Sequence, residues 1–206
     1  MLDGFRTFDI TTSGATIHGV HGGSGPPVLL LHGYPQTHVM WHRVAPQLAA
    51  HFTVVATDLR GYGDSSAPAG APDHSTYAKR AMALDQVEVM AHLGFETFGV
   101  IGHDRGGRVA RRMALDHPDR VTRLAVLDIV PTARLYADST RAFATAYFHW
   151  YFLIQPAPLP ETLIARSVEC WLEQKFGRVR PGAITSEAYA EYLRCYRRPE
   201  MIHASC

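Results

Sequence analysis

Asp104 stands in Val100-Ile101-Gly102-His103-Asp104-Arg105-Gly106-Gly107-Arg108, where an apolar run stops at a small-residue turn and reopens as a helical pattern. A strand that reverses sharply into a helix leaves no room for a Cβ beside its apex residue. Gly102 and Gly106 therefore give the spacing of a nucleophile elbow, Gly-x-nucleophile-x-Gly. The nucleophile here would be an aspartate. A serine oxygen that displaced a leaving group from saturated carbon would be left as an ether, which water does not readily cleave. A carboxylate oxygen is left as an ester, and water attacking the protein's own acyl carbon regenerates it. The residue type thus points to sp3 carbon electrophiles, of which halides and epoxides are the obvious cases. The competing assignment makes Asp104 a plain helix cap.

Arg105 and Arg108, spaced i, i+3, reach the mouth of the same first helical turn. Cations are disfavoured there by the partial positive charge of a helix N-terminus unless an anion answers them. Two arginines beside one aspartate suggest an anionic substrate, unless they are simply solvated or paired with Asp104.

The elements that must position these residues are legible. Residues 5–10 and 16–21 alternate around Ser13-Gly14 and predict a hairpin. Val28-Leu29-Leu30-Leu31 and Val54-Val55-Ala56 are continuous apolar runs, the pattern of strands buried on both faces of a parallel sheet. Trp41 to His51 predicts an amphipathic helix. Ser75 to Leu93 predicts another, with Ala81, Leu84, Val87, Val89 and Leu93 near one face and Gly94 closing it. Phe98 to Ile101 is the strand before the elbow, Arg105 to His117 the helix after it, and Val121 to Val130 a further buried strand ending near Asp128. Functional groups gather outside the carboxyl ends of such strands. Asp128 is placed to orient a catalytic histidine, or else is a turn aspartate before Pro131.

The loop His32-Gly33-Tyr34-Pro35 follows the first parallel strand. In elbow geometry one backbone donor for a developing oxyanion comes from such a loop, here the N–H of Tyr34, and the other from Arg105. His32 is expected to stabilise that loop rather than act as a base, and Asp58-Leu59-Arg60-Gly61-Tyr62-Gly63-Asp64-Ser65 to be scaffolding. After Pro131 strand alternation disappears, and helical stretches rich in Tyr, Phe, Trp and Arg run to the end. The expected division is an α/β core over residues 1–130 and a helical cap or lid over 131–206. Tyr147-Phe148-His149-Trp150-Tyr151 offers adjacent imidazole and indole donors, although an aromatic run is by composition more often core than site.

Twenty Lys and Arg against nineteen Asp and Glu leave a formal net charge of +1 with no basic run, which implies neither nucleic acid nor a charged membrane surface as partner. The three cysteines are few, odd in number and late in the chain, which predicts free thiols in a reducing, cytoplasmic setting. No run is long and apolar enough to span a bilayer. No cofactor or metal motif is found, and a monomer and a homodimer both stay open.

The Asp104 elbow, the His-Gly-Tyr-Pro loop, the Asp-x-Arg-Gly-x-Gly-x-Ser segment and the Asp128 strand end together resemble the α/β-hydrolase fold, a mostly parallel sheet flanked by helices. Gly102-His103-Asp104-Arg105-Gly106-Gly107-Arg108 with His149-Trp150 is similar, more narrowly, to the fluoroacetate (haloacetate) dehalogenases. Haloalkane dehalogenases and epoxide hydrolases usually place tryptophan after the nucleophile, so Arg105 discriminates. The resemblance implies Asp104 as nucleophile, Arg105 and Arg108 as the clamp on a haloacid's carboxylate, and His149 and Trp150 as donors to the departing halide. It also implies a catalytic histidine late in the chain, two last core strands and a lid tyrosine. None is recognisable before Cys206, which gives the expectation of a C-terminally truncated chain capable of a single turnover at most. The sheet edge at the Val121 strand would then be unpaired. An epoxide hydrolase using Tyr147 or Tyr151 as acid, and a non-catalytic fragment that keeps an anion pocket, are the rival expectations.

Overall fold

The computed structural model describes residues 1–177 and 179–206. β1 (Arg6–Thr11) and β2 (Thr16–Gly22) form the expected antiparallel hairpin. β3 (Pro27–Leu31), β4 (Thr53–Thr57), β5 (Phe98–His103) and β6 (Val121–Leu127) extend it into a sheet of order β1-β2-β4-β3-β5-β6, parallel from β4 to β6. The unbroken apolar run of β3 has a direct cause. Leu29 and Leu31 pack with Met82, Val109 and Met113 on one face, and Val28 and Leu30 with Trp41, Ala45 and Val54 on the other. With both faces covered, no position in the strand is left for a polar residue.

Three local expectations fail for identifiable reasons. The helix predicted over Trp41 to His51 is broken into a 3-10 turn at His38–Trp41 and a short α1 (Ala45–Leu48), with Pro46 in its first turn. Proline has no N–H for the preceding turn, so it restarts a helix rather than continuing one. In α2 (Lys79–His92) Leu84 is exposed, whereas Asp85 and Gln86 are buried beside Met82 and Val89. These polar residues go inside because partners await them. Arg60 donates to Asp85 from Nε and Nη2 at 2.6 Å each, the Thr12 hydroxyl donates to the same carboxylate at 2.7 Å, and the Thr57 hydroxyl donates to Gln86 at 2.7 Å. Finally, β6 is not a buried strand. It is the sheet edge, and Leu124, Val126 and Leu127 are exposed, because among the described residues no strand pairs with its outer side.

α3 (Arg105–Asp116) follows β5, and from Thr132 the described chain is helical: α4 (Thr132–Ala137), α5 (Arg141–Ala146), α6 (His149–Phe152), α7 (Leu159–Ala165), α8 (Val168–Phe176), α9 (Ser186–Tyr196) and α10 (Pro199–Ser205). This helical part is packed onto the sheet. Leu153, Ile164, Leu172, Tyr196, Met201 and Ile202 share one buried cluster with Leu31, Tyr62 and Val109. Among the described residues no helix is long and apolar enough to cross a membrane. All three cysteines are free.

Candidate active site

β5 ends at His103 and α3 begins at Arg105, which leaves Asp104 alone in the turn at φ +50, ψ −117. A non-glycine residue is strained there and persists only where its surroundings hold it. Here they do. The Asp104 N–H donates to the Leu127 carbonyl at 3.2 Å, its carbonyl accepts the Arg108 N–H at 3.2 Å, and its Oδ1 accepts the Tyr34 N–H at 3.0 Å. A Cβ on Gly102 would collide with the backbone of Gly106 and Gly107, and one on Gly106 with the Leu31 and His32 carbonyls. Gly33 is equally constrained, since its Cβ would lie 2.6 Å from that of Asp104. The three glycines let the β3 loop close on the carboxylate. Arg105, first residue of α3, contributes the next N–H on that side, one that no carbonyl of its own helix can take.

The structure brings Arg105 and Arg108 to the same place but in different states. Arg105 donates from Nη1 to the Tyr62 hydroxyl at 2.6 Å and from Nη2 to the Ser205 carbonyl at 2.9 Å, and lies 4.8 Å over the Tyr34 ring. Burial opposes its charge, but the oxygens of Tyr62, Asp104 and Tyr34 outweigh it and hold the group charged. Arg108 has its Nε and Nη2 buried with no hydrogen-bond partner, and its guanidinium sits 4.1 Å over the Trp150 ring. Burial lowers the pKa of Arg108, Asp104 opposing and Arg105 adding to the effect. The two arginines expected to act as an equivalent pair are one anchored and one unsatisfied.

His149 and Trp150 open α6 and face Asp104 across the cavities described next. The His149 ring stacks on Tyr34 with centroids 6.0 Å apart, and its Nδ1 is buried without a partner. Burial, then the charge of Lys175, pushes His149 down to about 4, so the ring is neutral at ordinary pH. A cavity of about 620 Å³ is lined by Tyr34, His103, Asp104, Asp128, Tyr147, His149 and Trp150 among others. A second, of about 790 Å³, shares Tyr34, Asp104, His149 and Trp150 and adds Arg105, Arg108, Tyr136 and Lys79. Asp128 lies just past β6 at φ +50, at the strand end where the sequence puts it. Tyr151 lines neither cavity and bonds Ser139. His103 lies on the same side of the β3 loop: a Cβ on Gly33 would meet His103 Nδ1 at 2.9 Å and Asp104 Oδ1 at 3.1 Å, and that Nδ1 is buried without a hydrogen-bond partner.

The supporting loops are held by buried hydrogen bonds. His32 bridges the Gly33 carbonyl from Nδ1 at 2.9 Å and the Leu59 N–H at Nε2 at 3.0 Å, and burial lowers it to about 4, which makes it a neutral strut. His18, His38 and Asp58 bring donor atoms within 4.8 Å of one another, spacing that would suit a metal ion. Each is already engaged: His18 with Asp9 at 2.9 Å, His38 with Asp58 at 2.9 Å, and Asp58 also with the Asp64 N–H at 3.0 Å. Burial opposes both charges of the His38–Asp58 pair, but mutual attraction prevails, raising His38 and lowering Asp58 from 3.8 to about 2. A raised histidine stabilises the fold below its unfolded pKa of 6.5 and ceases to as pH rises through its folded value. A lowered aspartate stabilises above 3.8 and ceases to as pH falls through about 2. The loss in Tm on His38→Asn is therefore expected to be greatest between about pH 4 and 6.5 and to shrink on either side. A loss independent of pH would remove the charged pair from the account.

Sequence reasoning missed Lys79 and Tyr136. Tyr136 packs edge-on against Trp150 with centroids 5.5 Å apart, a long-range contact with no local signal. Lys79 had one: it is a cation at a helix N-terminus, the same anomaly that singled out Arg105.

The profile of the alpha/beta hydrolase fold family matches residues 26–185. The chain is similar to a fluoroacetate dehalogenase of Burkholderia sp, 53% identical over 209 residues that take in all of this chain and 69% of that protein. It is 39% identical over 199 residues to a soluble epoxide hydrolase of Corynebacterium sp. (strain C12), covering 94% of this chain and 68% of the relative. A crystal structure described as an alpha/beta hydrolase from Nostoc sp PCC 7120 superposes with a TM-score of 0.98 at 57% identity, over 100% of this chain and 72% of that one.

Proposed function

The chain belongs to the alpha/beta hydrolase fold family, and from that premise we propose that it is a hydrolytic dehalogenase of short 2-haloacids such as fluoroacetate, acting through an aspartyl ester. The observation that carries this reading is Arg108, which lines the same cavity as Asp104 and whose guanidinium has two buried nitrogens, Nε and Nη2, without a hydrogen-bond partner. Unsatisfied charged donors in a cavity are costly unless a ligand answers them. An α-carboxylate does so, whereas a neutral epoxide offers nothing to them. Two anions brought to about 4 Å repel by roughly 4 kcal/mol at an effective dielectric near 20, and the guanidinium charge offsets that term.

In this mechanism the Tyr34 N–H occupies Oδ1 of Asp104 and Oδ2 attacks the α-carbon. A C–O bond forms as the C–halogen pair leaves with the halide, toward the ring N–H groups of His149 and Trp150. Water then attacks the Asp104 acyl carbon. The Tyr34 and Arg105 N–H groups receive the charge developing on Oδ1, and the 2-hydroxyacid departs as the carboxylate re-forms. Asp128, at the end of β6, is placed to orient the base that this step requires. The helices from Thr132 onward form a cap that excludes water during displacement. Of the imidazoles at the site, His149 is too weakly basic to activate water, being near 4, so hydrolysis of the ester is expected to be slower than its formation. The likeness to the fluoroacetate dehalogenase supports the substrate class.

The test is the intact mass of the chain after incubation with fluoroacetate, which alkylates thiols poorly. A carboxymethyl adduct is expected on wild type and not on Asp104→Asn. Fluoride released without an adduct would assign a competent base, for which His103, next to Asp104 in the chain and lining the same cavity, is the first candidate. Carboxylate binding with neither adduct nor fluoride would reduce the protein to an anion-binding module. The epoxide reading draws on the Corynebacterium relative and on Tyr147 in the cavity wall. Diol formed from styrene oxide, with no fluoride or adduct from fluoroacetate, would favour it.

A further inference from the structure

Three cations share the 790 Å³ cavity, and of them only Arg105 is held by short hydrogen bonds. Besides Arg105 and Arg108 on α3 it is lined by Lys79, the first residue of α2, so the two helices direct three cations into one space. Of the acidic groups in the same wall, Asp104 is the nucleophile, and Glu161 is bonded by His203 Nδ1 at 2.8 Å through Oε1 while its Oε2 is buried without a partner. The Lys79 ammonium makes only marginal contacts, 3.5 Å to the Tyr77 carbonyl and 3.5 Å to Met82 Sδ. Burial, then the charges of Arg105 and Arg108, lowers it to about 7. A half-buried ammonium with poor acceptors and cationic neighbours is costly in the empty protein. A two-carbon acid clamped by Arg108 also leaves most of this volume unfilled.

We propose that Lys79 is a specificity-determining residue that binds a second anionic group, so that the cavity takes 2-halo dicarboxylates, of which a 2-halosuccinate is the simplest fit. The inference rests on the haloacid reading above: Arg108 takes the α-carboxylate next to the reacting carbon, and Lys79 takes the distal carboxylate. Displacement at the α-carbon is unchanged, because the distal group forms and breaks no bond.

The test is calorimetric titration of the 206-residue chain with succinate and with propionate, unreactive acids that differ by the second carboxylate. Wild type is expected to bind succinate about tenfold more tightly, the worth of a hydrogen bond to a charged group. Lys79→Met is expected to erase that preference while leaving propionate within about twofold, and Lys79→Arg to restore it in part. Circular dichroism checks that both variants fold. Equal affinities in wild type, or an equal loss for both acids in Lys79→Met, would overturn the assignment while leaving the haloacid reading intact. Failure of wild type to bind either acid would instead overturn the haloacid reading, and this inference with it.

Discussion

Arg108→Leu is expected to slow adduct formation from fluoroacetate by about a hundredfold, through loss of a charge-assisted contact to the carboxylate and of the charge that offsets repulsion from Asp104. Leucine keeps an apolar group against Trp150, which now faces the guanidinium at 4.1 Å, so packing is largely retained. The comparison that gives the number meaning is a neutral electrophile such as 2-fluoroacetamide, whose slower alkylation of Asp104 is expected to change little. A rate that falls equally for acid and amide would make Arg108 a packing residue and remove the main support for an anionic substrate. Arg105→Leu is a poorer probe, because Arg105 also bonds Tyr62 and the Ser205 carbonyl, and its loss would loosen α10.

The second large effect lies in the scaffold. Arg60 and Asp85 form a two-pronged ion pair with side chains only 6% and 0% exposed. Asp85→Ala strands the guanidinium and the Thr12 hydroxyl. Breaking a buried pair from one side costs about 3–5 kcal/mol, on the order of 10 °C in Tm for a chain of this size. Arg60→Met with Asp85→Leu removes both charges and is expected to recover most of that loss. A double variant as unstable as the single one would show that the pair contributes attraction beyond its own desolvation. Thermal melts of the three chains, read as a double-mutant cycle, decide it.

The strands show how much local chemistry reveals. β3 and β4 were legible because burial on both faces forces a continuous apolar run, and the elbow because only glycine fits beside a reversal that tight. The inward face of α2 was not legible, since what draws Asp85 inside is an arginine from a distant loop and no periodicity records it. The edge position of β6 followed from the fold resemblance, whereas its composition, that of a covered strand, hid the exposure of Leu124, Val126 and Leu127.

By itself the sequence determined the type of the residue at the elbow, its turn, the fold family and the clustering of two arginines with it, because each rests on bonded neighbours or short-range sterics. Tertiary structure alone decided that Arg105 is anchored while Arg108 is unsatisfied, that His103 Nδ1 is buried against the Gly33 loop, and that Lys79 joins the same cavity. Those outcomes depend on which groups desolvate one another across the fold. Electrostatic energy inside a protein is set by burial and distance in space, and neither quantity is written in the order of residues along the chain.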